Sequence, residues 1–443
     1  MYKRQAIEGA YFLDDKLQKL SGMDIPSGHL TSNGWVPTML FHQPYTDALL
    51  REELLKSTCS VKLETELVDL IPKGNHYIVK TQNLTNGEEI SFSTQYVVGA
   101  DGASSKVRNI IGFDQEDLDY DKNWLVVDVK LNVENTLPRF AAQICDPKRI
   151  CTYIPSHLPF RRWEFILLEG ESKDDMLKEK KIQELVSPWL KPEEYDIIRA
   201  AVYRFHSLMT KDFMIDNCFL IGDAAHQSPP FMGQGMMSGY RDSLNLSWKL
   251  ISVIKNSFPS TLLDSFEEER KPHSRFVVDG SAAIGKLMSA YADAVERNQP
   301  SDIPQELIDR GYGSFALPPL QNGILYKGKS DRTSMAGSIF PQPLRMEGME
   351  CIERLDALLG KDFCIVSKKE IDLSSEQTEF YEKIRSKFVV LEDSILNNSP
   401  SVKDVMKKND IYILRPDRHI FGSTSDKITF GDLTEDLKER LNF

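Results

Sequence analysis

The stretch CFLIGDAAHQSPPFMGQGMMSGYRDSLNLSWKL, residues 218–250, gathers residue types suited to a charged or polyhydroxylated ligand. A short apolar strand runs into Gly222-Asp223. An aspartate at the carboxyl end of a parallel strand stands where open α/β sheets bind ligands, and its carboxylate suits the hydroxyls of a sugar or polyol chain. Pro229-Pro230 imposes a rigid turn ahead of Gly233 and Gly235. Backbone N–H groups from Gly233 through Met236 and Met237 can then face a ligand at the start of the next helix, whose dipole favours negative charge. A Gly/Pro-rich connection with an N-capping aspartate accounts for these residues equally well. A second stretch, YVVGADGASSKVR (96–108), drives a buried strand into Asp101-Gly102. Gly102 permits a tight turn, and Ser104, Ser105 and Arg108 are able to position phosphate or pyrophosphate. Taken alone, this stretch reads first as a strand, a turn and a capped helix.

Both aspartates need sheets and helices to aim them. Residues 59–95 alternate apolar and polar types around turn signals at Lys73-Gly74-Asn75 and Asn86-Gly87, which predicts a small antiparallel unit ahead of a buried strand at Tyr96–Gly99. QPYTDALLREELLK reads as a helix with Pro44 in its first turn and Ala48, Leu49, Leu50, Leu54 and Leu55 on one side. In residues 1–40, Gly22, Pro26, Gly28, Gly34 and Pro37 are too closely spaced for long elements. Strand patterns from Trp124 to about Glu169 predict a second sheet, followed by an amphipathic helix in KDDMLKEKKIQELVSPWL. Asp242 to Asn256 reads as helix, with further helices in residues 261–296. PPLQNG (318–323) and GSIFPQPLRMEG (337–348) read as a linker, and the tail from about residue 350 as a small α/β unit.

Composition narrows the classes. A chain of 443 residues is long for one core, so two or three domains are expected. The net charge of −12 argues against a nucleic-acid binder, which would carry a basic patch. The six cysteines show no CxxC spacing and no clustering with histidine, which fits reduced thiols in a cytoplasmic protein and predicts no metal site. No apolar run approaches the roughly 18 residues of a membrane span, and no secretory signal is recognisable.

The two stretches say more as a pair. GADGxxSxxR followed about 120 residues later by GDAAHxxPPxxGQG resembles the group A flavoprotein monooxygenases, the aromatic-ring hydroxylases, where they are the DG and GD motifs. FHQPYTDALLREEL, RRWEFILLEGE, AAVYRFHS, LLDSFEEERKPH and YILRPDRHIFG extend the resemblance, most of all to phenol and 3-(3-hydroxyphenyl)propionate hydroxylase-like members. What it implies is an α/β (mixed α+β) fold: a Rossmann-like FAD-binding domain, interrupted by a substrate-binding β-sheet and followed by a thioredoxin-like domain. The implied limits are 1–118 and 205–318 for the FAD domain, 119–204 for the sheet and 335–443 for the tail.

The implied reaction is hydroxylation of a phenolic ring by O2 through a C4a-hydroperoxyflavin, with FAD reduced by NADH or NADPH. In that frame Gln43, Asp101, Gly102, Arg108, Gly222, Asp223, Pro230, Gly233, Gly235, Met236 and Met237 fall at the cofactor. Tyr153, Arg162 and Phe231 are candidates for the substrate pocket. His226 is read as structural, and no catalytic side chain is assigned. A homodimer is compatible with the resemblance. Two other readings remain open: a non-catalytic remnant acting as a binding or dimerisation module, and a flavin oxidase or epoxidase acting on a non-phenolic ring.

One departure stands out. No GxGxxG occurs in the chain, so the first βαβ unit that would hold the pyrophosphate is expected to be missing, and FAD affinity is expected to be severely reduced. The opening MYKRQ is what GTG-TAT-AAG-AGA-CAG encodes when GTG serves as the start codon. That string resembles a transposon end used in tagmentation, which predicts that residues 1–5 are adapter-derived and the chain a fragment.

Overall fold

Alternation along one long strand, Gln115–Leu131, organises the largest layer. Leu125, Val127, Val129 and Leu131 point to one side of it and Trp124 to the other. A strand with apolar residues on both faces must be covered twice, and here it is. The computed structural model describes residues 5–25, 30–134, 137–299, 301–306, 308–309, 317–329, 335–347 and 350–443. Its largest sheet has eight strands, in the order His226–Gln227, Tyr195–Thr210, Gln115–Leu131, Phe160–Ile166, Cys151–Ile154, Ala141–Ile144, Gly9–Leu13 and Lys19–Asp24. One face packs on Ile182 and Val186 of the helix Glu179–Val186. The other lies under Ile284, Leu287, Met288 and Tyr291 of the long helix Ser265–Glu296.

The last two strands correct the irregular reading of residues 1–40. Gly22 is not a loop signal here. It sits inside a strand at φ +140°, where an added Cβ would meet the Ala10 carbonyl oxygen at 2.4 Å. The glycine marks a close approach of two backbones. Pro26 and Gly28, like residues 1–4, lie outside the described residues.

A smaller sheet aims the two aspartate turns. Cys218–Leu220 pairs in parallel with Val97–Gly99, Cys218 opposite Val97 and Leu220 opposite Gly99. Both strands therefore end at the same edge, one in Gly222-Asp223 and the other in Asp101-Gly102. The hairpins of 65–94 form the expected three-stranded antiparallel unit, with Gly74 and Gly87 both at positive φ in its turns.

Two faces are open. Val97–Gly99 has no strand on its other side among the described residues, and Val98 is exposed. The helix Gln43–Leu55 buries none of its residues, so its Leu49, Leu50, Leu54 and Leu55 face solvent. The sequence expectation of a helix holds there, but its apolar side is unpacked.

The helix Gly235–Asn256 begins earlier than the sequence pattern indicates, and residues 265–296 form a single helix that continues through Pro272. After it the segment read as a linker is interior instead. Leu320, Ile324, Leu325 and Phe340 are buried, and Leu320 N–H donates to the Gly337 carbonyl; Gly348 of that stretch lies outside the described residues. The tail then forms a four-stranded sheet in the order Lys387–Val390, Cys364–Ser367, Ile411–Leu414, Ile420–Ser423. Its first two strands are parallel and the remaining pairs antiparallel.

The tail is joined to the helices by buried charge. Arg415 donates from both terminal nitrogens to Glu269, at 2.9 and 2.6 Å, and to Asp417 at 2.6 Å. Lys249 lies 2.9 Å from Glu269, Asn245 donates to the same carboxylate at 2.6 Å, and Trp248 Nε1 donates to Asp417 at 3.2 Å. Burial by itself would raise the Glu269 carboxyl, but Arg415 and Lys249 outweigh it and hold it well below its ordinary range. Burial pushes Lys249 down to about 8 despite that pairing. Removing one member of such a set leaves the others charged and dry. Arg415→Met is therefore expected to cost about 3–5 kcal/mol, read as a lower urea midpoint with an unchanged m value. An unchanged midpoint would show that the network contributes nothing to stability.

Candidate active site

The paired strands set the DG and GD turns side by side, and one arginine ties them. Arg108 is buried; its Nη1 donates to the Ala224 carbonyl at 3.1 Å and its Nη2 to the Ala103 carbonyl at 2.7 Å. The side chain expected near phosphate is thus committed to backbone oxygens of both turns. Asp101 is committed likewise, accepting from the Ser105 hydroxyl at 2.5 Å and from Val107 N–H at 3.1 Å at the start of the helix Lys106–Ile111. Gly102, at φ +80° with open space around it, makes the turn.

The GD side is different. Gly222 sits at φ +57°, and its Cα lies 3.4 Å from where a Cβ on Gly239 would be, so loop and helix touch through two glycines. Asp223 reaches solvent and has no hydrogen-bond partner among the described residues. Crowding by the loop nonetheless raises its carboxyl above the ordinary range, with His226 opposing. Pro230 begins a short turn that ends at Gly233, φ +63°, directly before the helix N-terminus at Gly235, Met236 and Met237. The first N–H groups of a helix have no partner within it. Asp223 and those N–H groups are polar groups of this edge with no hydrogen-bond partner among the described residues.

Asp242 holds the loop in place. This fully buried carboxylate accepts from Gly222 N–H at 3.0 Å and His226 Nε2 at 2.7 Å through one oxygen, and from Arg270 Nε at 2.8 Å through the other. Burial would raise it; His226 and Arg270 pull it below its usual value. Arg270 continues to His273 Nδ1 at 3.1 Å, and His273 Nε2 lies 2.6 Å from the Pro318 carbonyl. Burial and the neighbouring Arg270 depress His273 to about 4, so its ring is neutral, accepting at Nδ1 and donating at Nε2. His226, buried and held on Asp242, is a fixed part of this loop.

Beside this loop an aromatic cluster covers the large sheet. Phe231 packs edge-on against Tyr120 (5.6 Å), Trp124 (5.3 Å) and Phe205 (6.1 Å between ring centres). Gly285 of the long helix makes room for it, since an added Cβ would lie 2.4 Å from Tyr120 and 2.9 Å from Phe231.

The structure thus brings together Asp101, Gly102, Arg108, Gly222, Asp223, Pro230, Phe231, Gly233, Gly235, Met236 and Met237. It does not bring Tyr153, which lies in the opposite face of the sheet against Trp163 and donates to the Pro138 carbonyl at 2.8 Å. Strand alternation puts Tyr153 away from Trp124, and a pocket role for it falls. Arg162 is on the Trp124 face but is paired bidentately with Asp128 at 2.7 and 3.0 Å. Gln43 is exposed and without a hydrogen-bond partner among the described residues. Tyr120, Trp124 and Asp242 are additions that sequence reasoning missed.

Paired aspartate turns at one edge of a small sheet thus lie beside a second sheet that carries a buried aromatic face. Residues 16–281 match the family described as FAD binding domain, and the chain belongs to that family. Over 426 residues it is 28% identical to 3-(3-hydroxy-phenyl)propionate/3-hydroxycinnamic acid hydroxylase 2 of Burkholderia vietnamiensis, covering 88% of this chain and 77% of that protein. It is equally 28% identical over 423 residues to a probable NADH-specific resorcinol 4-hydroxylase of Rhodococcus jostii, covering 91% and 77%. Two solved structures share the fold: the flavin-dependent monooxygenase PieE with FAD and substrate, and aklavinone-11 hydroxylase with FAD and aklavinone. Their TM-scores are 0.78 and 0.77, each at 16% identity, covering 99% and 100% of this chain and 88% and 87% of theirs.

The Asp242 hub makes a testable demand. Asp242→Asn leaves Arg270 buried without its counter-charge, so a loss of about 3 kcal/mol is expected. Because the folded carboxyl is lowered, its contribution is complete above about pH 4, the unfolded value, and disappears as pH falls through the folded value. Between neutral and acid pH, urea midpoints should fall less steeply with falling pH in the variant than in the unaltered chain. Parallel curves would rule the linkage out.

Proposed function

We propose that this chain binds FAD along the edge formed by the two aspartate turns and, with NADH or NADPH as reductant, hydroxylates a phenolic ring held against the aromatic face of the large sheet. The observation that carries the reading is the juxtaposition of an unpartnered Asp223 and a free helix N-terminus with the buried cluster of Phe231, Tyr120 and Trp124. Asp223 would accept from the ribityl hydroxyls, and the N–H groups at Gly235, Met236 and Met237 would face the pyrimidine edge of the ring system. Bound FAD supplies the activation of O2. The protein's part is position and dryness: Asp242 fixes the loop, Arg108 fixes the two turns to each other, and the aromatic side chains exclude water from the ring being oxidised. Resorcinol and 3-(3-hydroxyphenyl)propionate, named for the relatives, are the substrates to try first.

Domain limits of 1–118 and 205–318 for cofactor binding, 119–204 for the sheet and 335–443 for a thioredoxin-like tail belong to the same proposal. Supporting the last is the tail's strand–helix–strand–helix–strand–strand–helix order with its parallel first pair. A second reading, a binding or dimerisation module, draws on the unpacked leucines of Gln43–Leu55.

Arg108 and Asp101 are already engaged and the chain has no glycine-rich phosphate loop, so weak FAD binding is expected from this chain. Fluorescence titration should give no tight stoichiometric end point, and Asp223→Ala should weaken binding further, about tenfold for one charged hydrogen bond. At saturating FAD, a phenol should stimulate NADH oxidation with one labelled oxygen atom entering the product. Oxidation that no phenol accelerates would favour the module over the hydroxylase.

A further inference from the structure

Across the site-facing side of the large sheet runs a row of paired residues: Phe12 opposite Gln143, Gln143 opposite Thr152, Thr152 opposite Glu164, and Glu164 opposite Val126. Residues paired across strands share a face. Phe12 packs under the long helix, with its ring 5.3 Å from that of Tyr291, and Trp124 packs there too. Glu164 therefore stands in the floor of the aromatic layer, one strand from Trp124.

Its surroundings are unusual for a carboxylate. Glu164 is 4% exposed. No described residue donates a hydrogen bond to its side chain. Thr152, directly across, gives its hydroxyl to Gln143 at 2.6 Å. The nearest cation is Arg162, whose Nη1 lies 4.0 Å from Glu164 as a long ion pair while its Nε and Nη2 donate to Asp128. The other titratable groups around it are Asp128 and Tyr120 from the strand Gln115–Leu131 and Cys151 from the strand Cys151–Ile154. From the helix above comes Tyr291, whose hydroxyl donates to Ser21. None of these supplies a donor. A buried carboxylate without one is costly, and a group that a ligand would satisfy is the mark of a binding site.

We propose that Glu164 is the acceptor of the substrate's phenolic proton, a side chain that touches the ring hydroxyl and is catalytic in that sense. The inference rests on the hydroxylase reading above and adds to it the requirement for a free ring hydroxyl. In the step, a Glu164 oxygen forms a bond to hydrogen as the ring O–H bond breaks. The electron pair stays on the ring oxygen and raises electron density at the ortho carbon. The proton returns from Glu164 to the product's oxygen as the product leaves. Burial, with Asp128 adding to it and Arg162 opposing, raises the carboxyl to about 7, so the group is poised to accept near neutral pH.

The test needs no cofactor. Anisole, the methyl ether of phenol, carries a methyl group in place of the proton that Glu164 would accept, so the comparison is read as its change with pH and with Glu164→Gln. Binding of each to the full chain is followed by tryptophan fluorescence from about pH 6 to pH 8.5, spanning the titration. The expected result is a preference for phenol of about tenfold or more at the alkaline end, where Glu164 is charged, shrinking towards the acid end. In Glu164→Gln the preference should be small and flat with pH. A difference infrared measurement on the unaltered chain needs no variant: the protonated-carboxyl band should change on adding phenol but not anisole. An equal preference and pH profile in Glu164→Gln, or a band insensitive to phenol, would overturn the proposal while leaving the hydroxylase reading intact. If neither ligand binds, the aromatic-substrate reading falls and this inference with it.

Discussion

One carboxylate sets the geometry of the candidate site. Asp242 is wholly buried in the helix Gly235–Asn256, and its two oxygens hold Gly222, His226 and Arg270 at once. The GD loop, the helix that follows it and the long helix Ser265–Glu296 are therefore indexed to a single point. Without such a hub the loop would be a Gly/Pro-rich connection free to drift, and Asp223 would have no fixed aim. A buried charge is tolerated there because three donors surround it, two of them cationic or able to become so.

The same helix explains why the hub is hard to foresee. Its buried side is mixed: Ser238, Asp242, Asn245, Lys249 and Ser252 turn inward beside Leu246 and Trp248, while Met237, Tyr240, Leu244, Ile251 and Ile254 face out. Periodicity locates the helix, but amphipathic patterning takes the inner side to be apolar and gives no sign of the polar residues buried there. Inside, these polar residues serve two buried networks, one centred on Asp242 at the site and one on Glu269 and Arg415 further along.

Much else was legible. Turn glycines at 74 and 87, the strands ending in the two aspartates and the proline-led helix at Gln43 follow from local chemistry, and each takes the expected form. The strands of 9–24 did not, because a glycine required by backbone crowding carries the same letter as one that breaks a strand. The pocket residues were only half legible for a related reason. In a sheet covered on both sides, alternation separates Tyr153 from Trp124 but does not say which face meets the cofactor domain. Phe231 was named through its place in a motif, whereas Glu164, proposed above as a proton acceptor, lay inside RRWEFILLEG as one more charged residue in a strand.

The network around Arg415 bears on modularity. The tail looks in sequence like an appended unit, yet its hairpin turn inserts a guanidinium between Glu269 and Asp417, against Trp248 and the carbonyl of Ile324. The boundary between tail and helices is thus crossed by charge rather than by a flexible tether. Such a boundary resists recombination: a tail exchanged between relatives must bring its own arginine to meet a waiting glutamate.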